Sequence, residues 1–201
     1  LKPSRLFKEK NKMKKLFAFL IVMTLAFSFS ACGTKKEKTA ENKVDLEYYA
    51  ELGQMPECPY KLGADPDEIK EKLTAEDSSA AAAGEEYPFA VTEGEKTVRI
   101  DNGDFVYYYE KANKDKGISY IIATSKGYGF GVGTSILEIK NALPELEYTE
   151  EDVNDSNSFF LMGTTDGTVL KYTFKTRVIS FFFSENELTA VTLYDTDNWT
   201  E

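Results

Sequence analysis

Twelve residues, Leu62 to Leu73, return seventy positions later as Val132 to Leu143. Gly63, Glu68, Ile69, Lys70 and Leu73 are identical with Gly133, Glu138, Ile139, Lys140 and Leu143. Each copy has the chemistry of a helix start. Asp65 and Ser135 are N-cap residues, and Glu68 and Glu138 stand where the second half of a capping box belongs. Pro66 falls at the first helical position, where its missing N–H costs nothing. Ile69 with Leu73, and Ile139 with Leu143, form an i, i+4 apolar stripe suited to packing on a sheet. Two unrelated capped helices would share these features, so the segments that follow decide the matter.

After the first copy, Thr74 to Pro88 includes Ala80 to Ala83 and reads as a second short helix or a disordered insertion. Strand signals come next: Thr97–Ile100, an Asp-Asn-Gly turn at Asp101–Gly103, Phe105–Glu110, and Gly117–Thr124. After the second copy, Ser158–Met162 reads as a strand and Thr165–Gly167 as a turn. Thr168–Lys175, Arg177–Ser184 and Leu188–Tyr194 read as further strands. The predicted fold is α+β, two tandem units of about residues 60–128 and 129–201. Each is a helix or helix pair packed on an antiparallel β-meander, with the two meanders in one sheet or side by side. Ahead of them, Val44 to Leu52 predicts a short amphipathic helix with Leu46, Tyr49 and Leu52 on one side and Gly53 as its cap.

On these residues, Gly63…Glu68-Ile69…Leu73 and Gly133…Glu138-Ile139…Leu143, the chain resembles two groups. One is the tandem helix-plus-sheet β-lactamase inhibitory proteins, and the other the single-unit outer-membrane lipoproteins of the SmpA/OmlA (BamE) type. The resemblance spans about Tyr60 to Tyr194. It implies the fold and no activity. The disulfides typical of the inhibitors are missing, and no inhibitory loop is matched.

The N-terminal stretch predicts an address. Met13 is followed by Lys14 and Lys15, then by an apolar core from Leu16 to Phe29 of 14 residues, broken only by Thr24 and Ser28. That is short of the roughly 20 residues a membrane-crossing helix needs. Small residues follow at Ser30 and Ala31, the pattern of an export signal at its cut site. Phe29-Ser30-Ala31-Cys32 resembles the end of bacterial lipoprotein signals, with Phe29 in place of the usual Leu. The resemblance implies diacylglycerol on Cys32 and a mature chain starting there. The alternative is an uncleaved membrane helix from Leu16 to about Ala31. Leu1 to Lys12 reads as an upstream start or as a long cationic leader. Residues 1–31 are thus assigned to the leader, 32–43 to a charged flexible tether, and 44–201 to one globular domain.

Residues 1–31 hold seven basic residues and one acid, leaving 17 Lys and Arg against 33 Asp and Glu beyond them. Such a surface repels phosphate backbones and anionic headgroups. Nucleic acid is excluded as a partner, and the lipid must hold the protein to its membrane. With Cys32 lipidated, Cys58 stands alone; Pro56, Pro59 and Tyr60 surround it, so burial is expected. The chain has no histidine, which removes His-based nucleophile pairs and His-ligated zinc. No cofactor or metal is expected. A carboxylate-based hydrolase remains conceivable, without any pair of acids singled out.

Three stretches invite a functional reading. Alternation in Phe105–Tyr109 and Ile179–Ser184 sends Tyr108 and Phe182 to the face opposite their neighbours. The expectation is that both lie on the open side of the sheet as anchors for an envelope protein or peptide; core packing or a dimer contact is the alternative. Lys126-Gly127-Tyr128-Gly129-Phe130-Gly131-Val132-Gly133 runs into the second helix and suggests a phosphate cradle. It matches neither nucleotide-binding spacing, and close backbone packing is the preferred reading. Glu150 to Asn157 is faintly like a calcium loop, but Asn157 and Gly163 stand where Gly and Glu are needed; a solvated loop is preferred. The expected function is therefore a non-enzymatic, lipid-anchored binding or envelope-associated module on the extracytoplasmic face of the cell membrane. A structural accessory without a dedicated ligand is the alternative.

Overall fold

In the computed structural model, residues 44–153 and 167–199 are described. The expected leader and tether, the expected strand at Ser158–Met162 and most of the expected turn at Thr165–Gly167 lie outside them. Residues 43–201 form one compact unit.

Local chemistry sets the helices. α1 (Leu46–Leu52) starts where the Asp45 carboxylate accepts the Tyr48 N–H at 3.0 Å, and ends on Gly53 in the left-handed region. It buries Leu46 and Ala50, whereas Leu52 is 45% exposed. The predicted Leu46–Tyr49–Leu52 stripe is therefore rotated by one position toward Ala50.

α2 (Pro66–Ala83) is a single helix of 18 residues. Asp65 caps it by accepting the Asp67 N–H at 2.8 Å, and Glu68 pairs with Lys72 at 3.2 Å rather than closing a box. Only Pro66, Ile69 and Leu73 are buried, all in the first half. Burying the Ile and Leu side chains contributes about 1.5–3 kcal/mol each. The second half continues because Ala has the highest helix propensity, and Gly84 ends it. α3 (Ile136–Ala142) begins with the predicted capping box. Ser135 Oγ accepts the Glu138 N–H, and the Glu138 carboxylate accepts the Ser135 N–H at 2.9 Å.

Strands β1 (Ala90–Glu93), β2 (Thr97–Asp101), β3 (Phe105–Glu110), β4 (Tyr120–Ala123), β7 (Thr149–Asp152), β8 (Thr168–Phe174), β9 (Arg177–Ser184) and β10 (Glu187–Asp195) form one antiparallel sheet. Its order is β1-β2-β3-β4-β10-β9-β8-β7. The order reads alike from both edges: a four-stranded meander follows α2, another follows α3, and their last strands pair. At that seam Ile122 lies opposite Thr192, seventy positions on. A short hairpin, β5 (Lys126–Gly127) with β6 (Phe130–Gly131), leads into α3, and a 3-10 segment covers Lys111–Lys116.

The loops entering the two helices are held alike. Gly63 donates its N–H to the Ile118 carbonyl at 2.7 Å and Ile118 donates to the Ala64 carbonyl at 2.9 Å. Gly133 donates to the Leu188 carbonyl at 2.9 Å and Leu188 to the Thr134 carbonyl at 2.8 Å. One turn of backbone ladder thus ties each helix start to a residue at or just ahead of the start of the last strand in the meander after it.

Side-chain alternation divides the core. Ile100, Tyr107, Ile121, Leu170, Tyr172, Phe181, Val191 and Leu193 share a face with the buried side chains of all three helices. Val106, Tyr108, Tyr120, Ile122, Val169, Phe182, Tyr194 and Trp199 form a second cluster on the other face. No helix among the described residues is long and apolar enough to cross a membrane.

Candidate functional site

Tyr108 and Phe182 do fall on the face away from the helices, as alternation requires. They are not exposed: Tyr108 retains 9% and Phe182 3% of its accessible surface. On the Tyr108 side the C-terminal Trp199 is the reason. Its ring centroid lies 6.0 Å from Tyr108 and 5.1 Å from Tyr120, which stacks on Tyr194 at 5.0 Å. Side-chain hydroxyls brace the backbone at both positions. Ser119 Oγ donates to the Tyr108 carbonyl at 3.3 Å, and Thr189 Oγ1 to the Phe182 carbonyl at 3.1 Å. The expectation of two exposed anchors is therefore corrected to two core side chains.

The glycine-rich turn between β5 and β6 does cradle an oxyanion, and the oxyanion belongs to this chain. Tyr128 (φ 53°) and Gly129 (φ 85°) present successive N–H groups to the Glu57 carboxylate at 3.0 and 2.8 Å. Lys126 lies 3.9 Å from the same carboxylate. A phosphate would have to displace Glu57, so the close-packing reading prevails. Gly127 also allows contact that a Cβ would block, 2.8 Å from the Val191 side chain. Tyr128 is fully buried, and Phe130 packs on Phe181 with centroids 5.6 Å apart.

Cys58 is 3% exposed; its thiol donates to the Tyr60 carbonyl at 3.0 Å, with the Tyr107 hydroxyl 3.5 Å from the sulfur. Burial pushes its pKa from 9.0 up to about 11, against a smaller opposite pull from the Tyr107 hydrogen bond. A protonated thiol at neutral pH is a poor nucleophile.

The acidic stretch at Glu150 is strand β7 rather than loop up to Asp152, and residues 154–157 lie outside the described part. Glu150 pairs with Lys140 at 2.7 Å and Glu151 with Lys171 at 2.8 Å. Among the described residues no group of three or more acidic or thiol side chains is arranged to hold a metal ion.

The remaining place is one that sequence reading passed over, strand β1 and the free half of α2. β1 is the outermost strand at its edge, and all four of its residues are exposed. The ladder phase fixes which groups face outward. Gly94 donates to Thr97, so with the observed register the hydrogen-bonded pairs are Gly94–Thr97, Thr92–Arg99 and Ala90–Asp101. The N–H and C=O of Val91 and Glu93 therefore point away from the sheet. Val91, opposite the fully buried Ile100, carries its side chain on the helix face and is 42% exposed. Ala75, Ser79, Ala80 and Ala83 of α2 line a shallow, mainly apolar groove together with Glu76, Glu85 and Tyr87, in the segment that leads into β1. Tyr87 is held there by donating to Glu76 at 2.5 Å. The edge at β7 is different, because its two glutamates are already braced by lysines.

No match to this chain is found among protein families, curated proteins or solved structures.

Proposed function

We propose that the chain is a lipid-anchored, extracytoplasmic binding module of the cell envelope, without enzymatic activity. In this reading its globular part is two copies of one helix-plus-meander unit, as in the tandem units it resembles. The lipid anchor rests on Cys32 and its apolar leader. The duplication is supported by the matching ladders at Ile118 and Leu188 and by the sheet order that reads alike from both edges.

One observation carries the binding reading. Among the described residues the β1 edge leaves the outward N–H and C=O of Val91 without a partner in the sheet, and Val91 is exposed. An edge strand offers a row of hydrogen-bonding groups to another chain, and proteins normally blunt it with lysine, proline or a covering element. β1 carries neither lysine nor proline.

The test is site-specific photocrosslinking in intact cells, with the probe replacing Val91 or, as control, Glu150. The reading predicts adducts to an envelope protein from position 91 and none from position 150. Equal labelling from both positions, or none from position 91, counts against it.

A further inference from the structure

We infer that the β1 edge accepts an added strand from an extended, cationic polypeptide segment with small or apolar side chains alternating with its lysines or arginines. The inference rests on the binding reading above and specifies the partner's chemistry.

Three features define the partner. The outward N–H and C=O of Val91 and Glu93 match the ladder phase of an antiparallel or parallel guest strand. On the helix face, alternate guest side chains would meet Val91, which is 42% exposed and follows the line of the buried Ile100, so small or apolar side chains suit that side. The third feature is charge. From Thr74 to Glu95 the chain has six carboxylates, Glu76, Asp77, Glu85, Glu86, Glu93 and Glu95, and no lysine or arginine. Glu76 is engaged by Tyr87, and Glu93 by Lys111 at 3.1 Å. Among the described residues no cation pairs with Asp77, Glu85, Glu86 or Glu95. The strand and the chain leading into it thus carry a net negative charge that Lys111, on Glu93, offsets only in part. That charge favours a cationic guest and disfavours an acidic one. It also disfavours a second copy of this chain, since β1 against β1 would set two such carboxylate groups together.

The full-length protein is titrated with three fluorescent short peptides: alternating lysine and valine, serine and valine, and glutamate and valine. The expected result is saturable binding of the lysine peptide, weakened by added salt, with the serine peptide at least about tenfold weaker and the glutamate peptide silent. Val91→Pro removes an outward N–H that no ladder bond uses, a position where an edge strand tolerates proline. It should weaken lysine-peptide binding more than about tenfold at unchanged melting temperature. A double variant, Glu85→Gln with Glu86→Gln, leaves the strand intact and should weaken it by about tenfold through charge alone. Equal binding of the lysine and serine peptides, both lost in Val91→Pro, overturns the cationic assignment while leaving the edge as a binding site. Undiminished binding in both variants places the peptide elsewhere and overturns the inference. Failure of every peptide to bind overturns the edge reading itself, as does a dimer of the protein that Val91→Pro dissolves.

Discussion

Ile118 and Leu188 make the same pair of backbone hydrogen bonds, each clasping the two residues that lead into a helix. Ile118 bonds Gly63 and Ala64, and Leu188 bonds Gly133 and Thr134; both side chains are 1% exposed. The clasp fixes where each helix begins over the sheet. It also explains why the recurrent motif opens with glycine at the same offset: Gly63 and Gly133 both sit at positive φ, 80° and 88°.

The two clasps differ in how closely the chains approach. At Gly117, just before Ile118, a Cβ would lie 2.5 Å from the Gly63 carbonyl carbon and oxygen, and φ is +77°. Glu187 precedes Leu188 and is exposed. Gly117→Ala should cost at least about 1–3 kcal/mol from the strained backbone alone, with the clash adding to it. Glu187→Ala should stay within about 0.5 kcal/mol of wild type. Urea unfolding of the two variants gives both numbers.

Phe182 is a core side chain, so Phe182→Ser should lower stability by about 3–5 kcal/mol, the range for removing a buried aromatic. Tyr108→Ser should also destabilise, and Trp199→Ala should expose Tyr108 and Tyr120 together. Thermal melts followed by near-ultraviolet circular dichroism separate loss of packing from loss of fold. Wild-type stability in Phe182→Ser would mean this face does not pack as described.

The Glu57 carboxylate answers two N–H groups of the β5–β6 turn. Glu57→Ala leaves the part-buried Tyr128 N–H unanswered at a cost of about 1 kcal/mol, while the exposed Gly129 N–H turns to water. Glu57→Gln keeps an acceptor oxygen and should recover part of that. If the turn has a latent affinity for oxyanions, added phosphate should raise the melting temperature of Glu57→Ala and leave wild type unmoved. Differential scanning calorimetry with and without phosphate reads it.

Cys58 gives a pH signature. Its folded pKa, near 11, lies above the ordinary 9.0, so the folded state keeps a proton that the unfolded state releases. The stabilisation is complete below about pH 9 and is lost as pH rises through about 11. Cys58→Ala should flatten the decline of melting temperature over that window relative to wild type. The wild-type thiol should not react with a thiol reagent at pH 8 until the protein unfolds.

Local chemistry made parts of this fold legible in advance. The caps at Asp65 and Ser135, the glycine ending α1, and the strands Phe105–Glu110 and Arg177–Ser184 follow from neighbouring residues alone. β1 and β7 were not legible. Ala-Val-Thr-Glu and Thr-Glu-Glu-Asp have no alternating apolar side, and they are strands because the backbones of Arg99 and Asp101 in β2, and of Val169 and Lys171 in β8, are in the ladder phase that pairs with them. Alternation assigned Tyr108 and Phe182 to the correct face, but exposure depends on what covers a face. Trp199 comes to Tyr108 from the far end of the chain. The Glu57 carboxylate answers a turn about seventy residues away, for which sequence spacing offers no signal. α2 ran through its alanines because nothing in Thr74–Ala83 breaks a helix before Gly84.

The central claim concerns where the protein works, and the mass of its N-terminal peptide tests it most directly. The protein is extracted from bacterial membranes with detergent, digested and analysed by mass spectrometry. The account predicts a first residue Cys32 carrying diacylglycerol through its sulfur, with nothing of residues 1–31 attached. An unmodified Cys32 inside a peptide continuous with Ala31, or recovery of the protein from the cytosolic fraction, contradicts it.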